Sequence, residues 1–85
     1  MTNQNFLDMA RLEVNKYVFN HLDKSEPIQE FDVFVVWSCK TLQNHKALIS
    51  TTLPDGMYYE CTYNGDKKEM YLDAYKKFEN FVVKC

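Results

Sequence analysis

Closely spaced pairs of cysteine or histidine, the usual ligand pattern of a zinc site, are missing from this sequence. The three cysteines, Cys39, Cys61 and Cys85, lie far apart, and so do His21 and His45. We therefore expect no metal, no other cofactor and no catalytic nucleophile, and so no enzyme. Cys39 and Cys61 are predicted to be small buried hydrophobic residues. Unpaired cysteines in odd number predict reduced thiols and a cytoplasmic protein.

Glycine and proline are also scarce, at two residues each, and this scarcity excludes linkers and low-complexity segments. The 85 residues therefore predict a single domain, 1–85. No apolar run reaches the roughly 18 residues of a membrane span, and residues 1–5 do not resemble the start of a signal peptide. A net charge of −2 argues against non-specific nucleic-acid binding, which needs a basic face.

Residues 31–63 contain three runs of β-branched and aromatic residues, separated by two turn signals. This pattern predicts a three-stranded antiparallel meander. The first turn is expected at residues 43–45 and the second at residues 54–56, with Gly56 in the left-handed conformation. Alternation along the first and third strands predicts a set of core-facing side chains. These are Val33, Val35, Trp37, Cys39, Met57, Tyr59, Cys61 and Tyr63.

Helical periodicity flanks the meander on both sides. The first helix is predicted to run from Asn5, as its N-cap, to about Leu22, and a polar connector follows at residues 23–30. Its inward stripe comprises Phe6, Leu7, Ala10, Val14, Tyr17, Val18 and His21. The second is predicted to begin at Asp66, with Glu69 completing a capping box. Its inward face comprises Met70, Tyr71, Ala74, Tyr75, Phe78, Phe81 and Val82. The expected fold is α+β, ordered α-β-β-β-α, with both helices on one face of the sheet.

Two groups of apolar residues remain once the core is assigned. The first lies on the uncovered face of the predicted sheet, and the second forms another stripe on the first helix. The groups comprise Phe34, Val36 and Tyr58 on the sheet, and Met9, Leu12 and Phe19 on the helix. A loop folded over the helix stripe, and core positions for Phe34 and Tyr58, are the simpler alternatives. Contiguous exposed apolar patches tend to be interfaces, so these residues predict a homodimer or a hetero-complex that uses the same surface.

The predicted order, with one helix before and one after a three-stranded meander, resembles the double-stranded RNA-binding domain. In that family, lysines at the start of the second helix contact phosphates, and a histidine in the first hairpin loop reaches the minor groove. The matching residues here are Lys67, Lys68 and His45, with Lys46 beside the histidine. The resemblance implies a nucleic-acid-binding module. The chain departs from the family in its acidic charge, its shorter first loop and Tyr71, which stands where the family has a further lysine.

A second resemblance covers residues 35–44, 50–52, 55–60 and 62–67, which read VVWSCKTLQN, STT, DGMYYE and TYNGDK. These segments are similar to a family of short, uncharacterised proteins encoded by phages and prophages of Gram-positive bacteria. The resemblance implies a setting, the cytoplasm of a bacterial host, and no mechanism. Small acidic phage proteins without catalytic motifs often bind and block a host protein. We therefore predict a non-enzymatic phage protein that blocks or redirects a host protein, such as a defence nuclease.

Overall fold

A four-stranded antiparallel sheet with one helix packed on one face forms the fold in the computed structural model, which describes residues 1–22 and 30–84. In chain order the elements are α1 (Asn3–His21), β1 (Val33–Thr41), β2 (Asn44–Thr51), β3 (Met57–Asn64) and β4 (Glu69–Lys76). Each strand pairs with the next along the chain, so the sheet order is β1-β2-β3-β4. The α+β class and the meander are confirmed, but a fourth strand replaces the predicted second helix. The predicted connector, apart from Glu30, lies outside the described residues.

Helix α1 begins after Thr2, whose side-chain oxygen accepts a hydrogen bond from the Asn5 N–H at 3.0 Å. The prediction of Asn5 as the N-cap is therefore wrong, because Asn5 lies inside the first turn. The predicted inward stripe is largely confirmed. Its buried members are Phe6, Ala10, Val14 and Val18. Tyr17 is half-buried, and His21 is exposed, with its ring stacked on that of Tyr17 at a centroid distance of 4.0 Å.

A β-bulge in β1 reverses the predicted faces in the second half of that strand. The register with β2 runs regularly to Val35, but the next paired residue is Trp37. Because Val36 has no partner in the register, every side chain after it points to the opposite face. The prediction that Trp37 and Cys39 lie in the core is therefore wrong, and both are exposed on the face away from α1. The other predicted core residues are buried or half-buried: Val33, Val35, Met57, Tyr59, Cys61 and Tyr63.

The polar run that predicted a second helix instead closes a hairpin loop. The side-chain oxygen of Asn64 accepts hydrogen bonds from the Asp66 N–H at 3.0 Å and the Lys67 N–H at 3.2 Å. Asp66 caps no helix, because its carboxylate accepts a hydrogen bond from Gln43 Nε2 at 2.6 Å. The chain therefore turns back after Lys68, which has a φ of 54°, and pairs with β3.

Alternation of side chains then continues through β4. Met70, Leu72 and Ala74 lie on the face of the sheet that carries α1, while the residues between them point away from it. A spacing of four residues, as from Met70 to Ala74, fits both a helix face and a strand face, so the sequence pattern does not separate the two. Three residues expected to extend the helix follow β4 without regular structure, and all are exposed. They are Phe78, Phe81 and Val82.

Two turns contact each other at one end of the sheet. The Gly65 N–H donates to the side-chain oxygen of Asn44 at 3.0 Å, and the Gly65 backbone lies against Gln43. A Cβ atom added to Gly65 would lie 2.3 Å from the backbone oxygen of Gln43. The turn between β1 and β2 lies at Leu42 and Gln43, so the prediction of a turn at residues 43–45 is wrong by about two residues.

The hairpin between β2 and β3 turns as predicted. Gly56 has a φ of 67°, in the left-handed region that favours glycine. The side chain of Asp55 accepts a hydrogen bond from the Met57 N–H at 3.1 Å, which fixes the residue after the turn. This hairpin brings β3 into register with β2, so that Tyr59 lies opposite Ile49.

The core lies between α1 and the first three strands of the sheet. Helix α1 packs against β1, β2 and β3. The largest fully buried side chains are Phe6, Val14, Ile49 and Cys61. The molecule is a slab only 18 Å thick, which is the depth of one helix on one sheet. Since the only described helix lies on one side, the opposite face of the sheet is uncovered by any described element.

Candidate protein-binding surface

The uncovered side of the sheet, which we call the open face, is built from alternate residues of all four strands. The strand registers align these residues in three rows across the sheet. The rows are Phe34, Ser50, Tyr58 and Tyr75; then Trp37, Leu48, Glu60 and Asp73; then Cys39, Lys46, Thr62 and Tyr71. Because cross-strand neighbours on one face lie close enough for their side chains to touch, the rows form one continuous surface.

Aromatic side chains dominate this surface. Phe34 is 45% exposed, Trp37 44%, Tyr71 44% and Tyr75 53%, while Tyr58 is half-buried directly opposite Tyr75. Exposure of a large aromatic side chain to water costs free energy, which burial in an interface recovers. Tyrosine and tryptophan are enriched among the residues that contribute most to binding energy in protein interfaces. An aromatic cluster of this kind on a small domain is typical of a protein-binding surface.

Two carboxylates lie in the middle row of the open face. Glu60 and Asp73 are directly opposite each other on β3 and β4, an arrangement that destabilises a sheet through like-charge repulsion. Lys46 Nζ lies 3.3 Å from Glu60 Oε1, but this exposed ion pair offsets only one of the two charges. The Tyr71 hydroxyl donates to Glu69, and this hydrogen bond raises the pKa of Tyr71. The open face therefore combines apolar rings with a negative centre.

The six residues predicted to bind a partner fall on opposite sides of the molecule. Phe34 and Tyr58 lie on the open face, and Val36 lies at the bulge in β1. The other three lie on α1, where two are exposed and one is half-buried: Leu12, Phe19 and Met9. The buried stripe of α1 faces the sheet, so the exposed part of the helix is far from the open face. The two groups therefore do not form one continuous surface.

Sequence reasoning missed Trp37, Tyr71 and Tyr75. Alternation of Tyr71, Asp73 and Tyr75 with apolar residues was a signal for a strand with two aromatic rings on its outer face. The sequence contained no such signal for Trp37. Its ring lies on the open face only because Val36, the residue before it, is unpaired in the bulge.

The residues predicted to contact nucleic acid do not form one surface either. His45 is not in a hairpin loop but in β2, where it is only 2% exposed and points towards α1. Lys46, the next residue, lies on the open face. Lys67 and Lys68 lie in the loop between β3 and β4, and no helix begins there. The arrangement of lysines at a helix start, on which the resemblance to the RNA-binding domain depends, is therefore absent.

His45 is part of the core beneath α1. Its ring stacks on Phe6 at a centroid distance of 5.0 Å and lies 6.0 Å from the ring of Tyr63. Within residues 1–22 and 30–84, Nδ1 of His45 has no hydrogen-bond partner. Burial, together with the nearby positive charge of Lys40, lowers the pKa of His45. The imidazole is therefore neutral at pH 7 and acts as a packing residue.

Acidification is expected to destabilise the protein through His45. Since its pKa is lower in the folded chain than in the unfolded chain, the unfolded chain binds a proton first as the pH falls below about 6.5. The free energy of unfolding, measured with urea, should therefore decrease between about pH 7 and about pH 5. His45→Phe should make this decrease smaller. An identical decrease in the His45→Phe variant would contradict this role.

The described part of the chain offers little for metal or small-molecule chemistry. It contains no cluster of three or more histidine, cysteine, aspartate or glutamate side chains able to hold a metal ion. Burial raises the pKa of the Cys61 thiol to about 11, so this residue is a poor nucleophile. A cleft of about 250 Å³ between Tyr17 and Asp55, and another of about 220 Å³ beside Cys39, are each smaller than most ligand pockets. Among the described residues, 1–22 and 30–84, no helix is long and apolar enough to span a membrane.

Comparison with known proteins gives one match. The model of a family described as "Family of unknown function (DUF6275)" matches residues 7–85. This range covers α1 from Leu7 and all four strands, including every residue of the open face. No curated protein and no solved structure shows a significant match to the chain.

Proposed function

We propose that this chain, which belongs to that family of unknown function, is a non-enzymatic binding protein whose open face binds another protein. We further propose that it is encoded by a phage and that it blocks or redirects a protein of the bacterial host. The single observation that carries the proposal is the open face itself, where five aromatic rings surround two carboxylates with no described element over them. This surface is on strands of a fixed register, so its rings are held in place before a partner arrives.

The charge of the open face indicates the chemistry of the partner. Glu60 and Asp73 repel each other in the free protein, and a cationic group placed between them would relieve that repulsion. Arginine fits this position best, because its guanidinium can pair with carboxylates and stack on rings such as Trp37 at the same time. A host nuclease has such cationic groups where it binds phosphates, and a surface of carboxylates can occupy that site in place of nucleic acid.

The matched variants Phe34→Glu and Leu12→Glu test the proposal. Both replace an exposed apolar residue with a charge, one on the open face and one on the outer side of α1. A host protein captured from a lysate by the tagged chain would be purified, and its affinity would be measured by calorimetry. We expect Phe34→Glu to weaken binding by about 2 kcal/mol, or roughly 30-fold, and Leu12→Glu to change it by less than about 0.5 kcal/mol.

Two results would count against the proposal. In one, no host protein is retained above background at any salt concentration. In the other, Leu12→Glu weakens binding and Phe34→Glu does not, which moves the interface to the helix. Circular dichroism of both variants controls for folding. Measuring the affinity at two salt concentrations tests the cationic partner, since attraction between exposed charges weakens as salt is added.

Nucleic-acid binding, the alternative function, is less well supported. Its four residues lie on three different parts of the molecule, and the open face presents carboxylates rather than a basic groove. The aromatic rings of the open face are suited to stacking on bases, but the charge in their midst disfavours phosphates.

A further inference from the structure

The outer edge of β4 is a second uncovered feature, distinct from the open face. In the sheet order β1-β2-β3-β4, β4 pairs only with β3, and no other strand of the described ranges lies against its outer edge. Unpaired strand edges are templates for pairing with another chain, and proteins usually protect them with a bulge, a proline or charges. The other edge strand, β1, has such protection in its bulge at Val36. The eight residues of β4 pair with β3 without a break in register and contain no proline. Three of them are charged, Glu69, Asp73 and Lys76, but Met70, Leu72 and Ala74 leave an uncharged stretch of this edge on the helix side.

The register determines which backbone groups of β4 point outwards. The Lys77 N–H donates to the Gly56 oxygen at 2.8 Å, so these two residues form a hydrogen-bonded pair. Hydrogen-bonded and non-hydrogen-bonded pairs alternate in an antiparallel ladder. It follows that the backbone N–H and C=O groups of Tyr71, Asp73 and Tyr75 form hydrogen bonds with β3. The N–H and C=O groups that point away from the sheet are those of Met70, Leu72, Ala74 and Lys76.

The side chains of these four residues are also only partly covered by the rest of the protein, or are exposed. They lie on the face that carries α1, but α1 packs on β1, β2 and β3. Met70 and Leu72 are half-buried at the margin of the core, and Ala74 is exposed. A strand added at this edge would therefore find four outward N–H donors and four outward C=O acceptors, and it would also bury apolar surface beside Leu72.

We propose that β4 pairs with β4 of a second copy of this chain, in antiparallel orientation, and so forms a continuous eight-stranded sheet. In a two-fold arrangement, residues that face each other must lie on the same side of the sheet, and their backbone groups must either both point towards the other copy or both point away from it. A two-fold axis near the middle of β4 can pass through Leu72, Asp73 or Ala74. An axis through Asp73 places two aspartates directly opposite each other, which repel. An axis through Ala74 places Glu69 opposite Glu79 of the second copy.

An axis through Leu72 avoids both carboxylate conflicts, and its own like-charge pair, Lys68 opposite Lys76 of the second copy, lies at the ends of the paired segment. It places Leu72 beside the same residue of the second copy and Met70 beside Ala74, so apolar side chains meet on the helix side. On the other side it places Tyr71 opposite Asp73 and Glu69 opposite Tyr75, so that each carboxylate faces a ring with a hydroxyl group. The apolar pattern and the carboxylates of β4 therefore favour the same register. The two open faces become one surface of twice the width, and neither is covered by the pairing.

Proline substitutions at the two sheet edges test the pairing. Ala74→Pro removes an outward N–H from β4, and Lys40→Pro removes one from β1 beyond its bulge, so neither removes a hydrogen bond within the sheet. Light scattering on wild type and on Lys40→Pro should give twice the 10.1 kDa chain mass at micromolar concentration. Ala74→Pro should give the mass of one chain, with an unchanged circular dichroism spectrum. A monomeric wild type over the whole concentration range, or a dimeric folded Ala74→Pro, overturns the proposal.

Cysteine cross-linking tests the register and does not depend on how a proline variant folds. In a background with Cys39 and Cys85 changed to serine, and with Cys61, which lies directly opposite Leu72 on β3, changed to alanine, Leu72→Cys would place two thiols across the two-fold axis. The Cα atoms of such a pair lie about 5.5 Å apart, within the range of a disulfide. Mild oxidation should convert Leu72→Cys to a covalent dimer, whereas Ala74→Cys, which faces Met70 of the second copy, should stay largely monomeric. Equal cross-linking of the two variants, or none in either, overturns the register.

Discussion

Replacement of Phe6 by alanine is expected to lower the free energy of unfolding by about 3–5 kcal/mol, a large share of the stability of a domain this small. Phe6 is fully buried where α1 crosses β2, and its ring stacks on that of His45. Its removal would leave a cavity under the only described helix, and His45 would lose the ring that covers one of its faces. Urea unfolding followed by circular dichroism measures the change, and the midpoint should fall with little change in slope.

Leu12→Ala is the matched control for the Phe6 prediction. Leu12 lies on the same helix but is 54% exposed, so its truncation leaves no cavity. We expect a change of less than about 0.5 kcal/mol. If the two variants lost similar stability, or if Phe6→Ala were as stable as wild type, α1 would not be packed on the sheet as described.

Gly65→Ala is expected to cost about 1–3 kcal/mol in the free energy of unfolding, although it adds only one methyl group. The added Cβ would lie 2.3 Å from the backbone oxygen of Gln43, and backbone atoms cannot move aside as the end of a flexible side chain can. The two turns must then separate. Their separation weakens the hydrogen bond from Gly65 N–H to Asn44 and the one from Gln43 Nε2 to Asp66. The same urea unfolding experiment measures the loss.

Gly56→Ala separates a steric clash from backbone strain. Gly56 has a φ of 67°, but an added Cβ there would meet no atom closer than 3.8 Å. Its cost should therefore be the roughly 1 kcal/mol of a left-handed residue, and smaller than that of Gly65→Ala. The reverse order of the two costs would show that the contact between the turns contributes little to stability.

Much of the fold could be predicted from the sequence, because the relevant signals are local. The buried stripe of α1 follows from its spacing, and the β2–β3 hairpin follows from Pro54, Asp55 and Gly56. The fourth strand could not be separated from a helix, because Asn64, Asp66 and Glu69 serve equally well as loop-closing and as capping residues. Whether this segment forms a helix or a strand depends on whether the edge of β3 is free to pair with it. That condition is set by the tertiary structure and not by the local sequence.

The candidate site was only half predictable for a similar reason. Phe34 and Tyr58 lie on the open face as the alternation of their strands indicates. Trp37 lies there only because one residue of β1 is unpaired, and one shifted residue reverses every later side chain. Tyr71 and Tyr75 lie there because a strand replaced a helix. The mixed composition of the uncovered face could be foreseen, but its full set of rings needed the register.

The pairing of every strand with its neighbour in sequence also has a consequence for how the chain folds. A meander closes only short loops, so each hairpin can form without first bringing distant segments together, and low contact order favours fast folding. Helix α1 is the exception, since Phe6 reaches its partner His45 across the whole of β1 and the preceding connector. We therefore expect the docking of the amino-terminal helix onto the sheet to be the slowest event in folding.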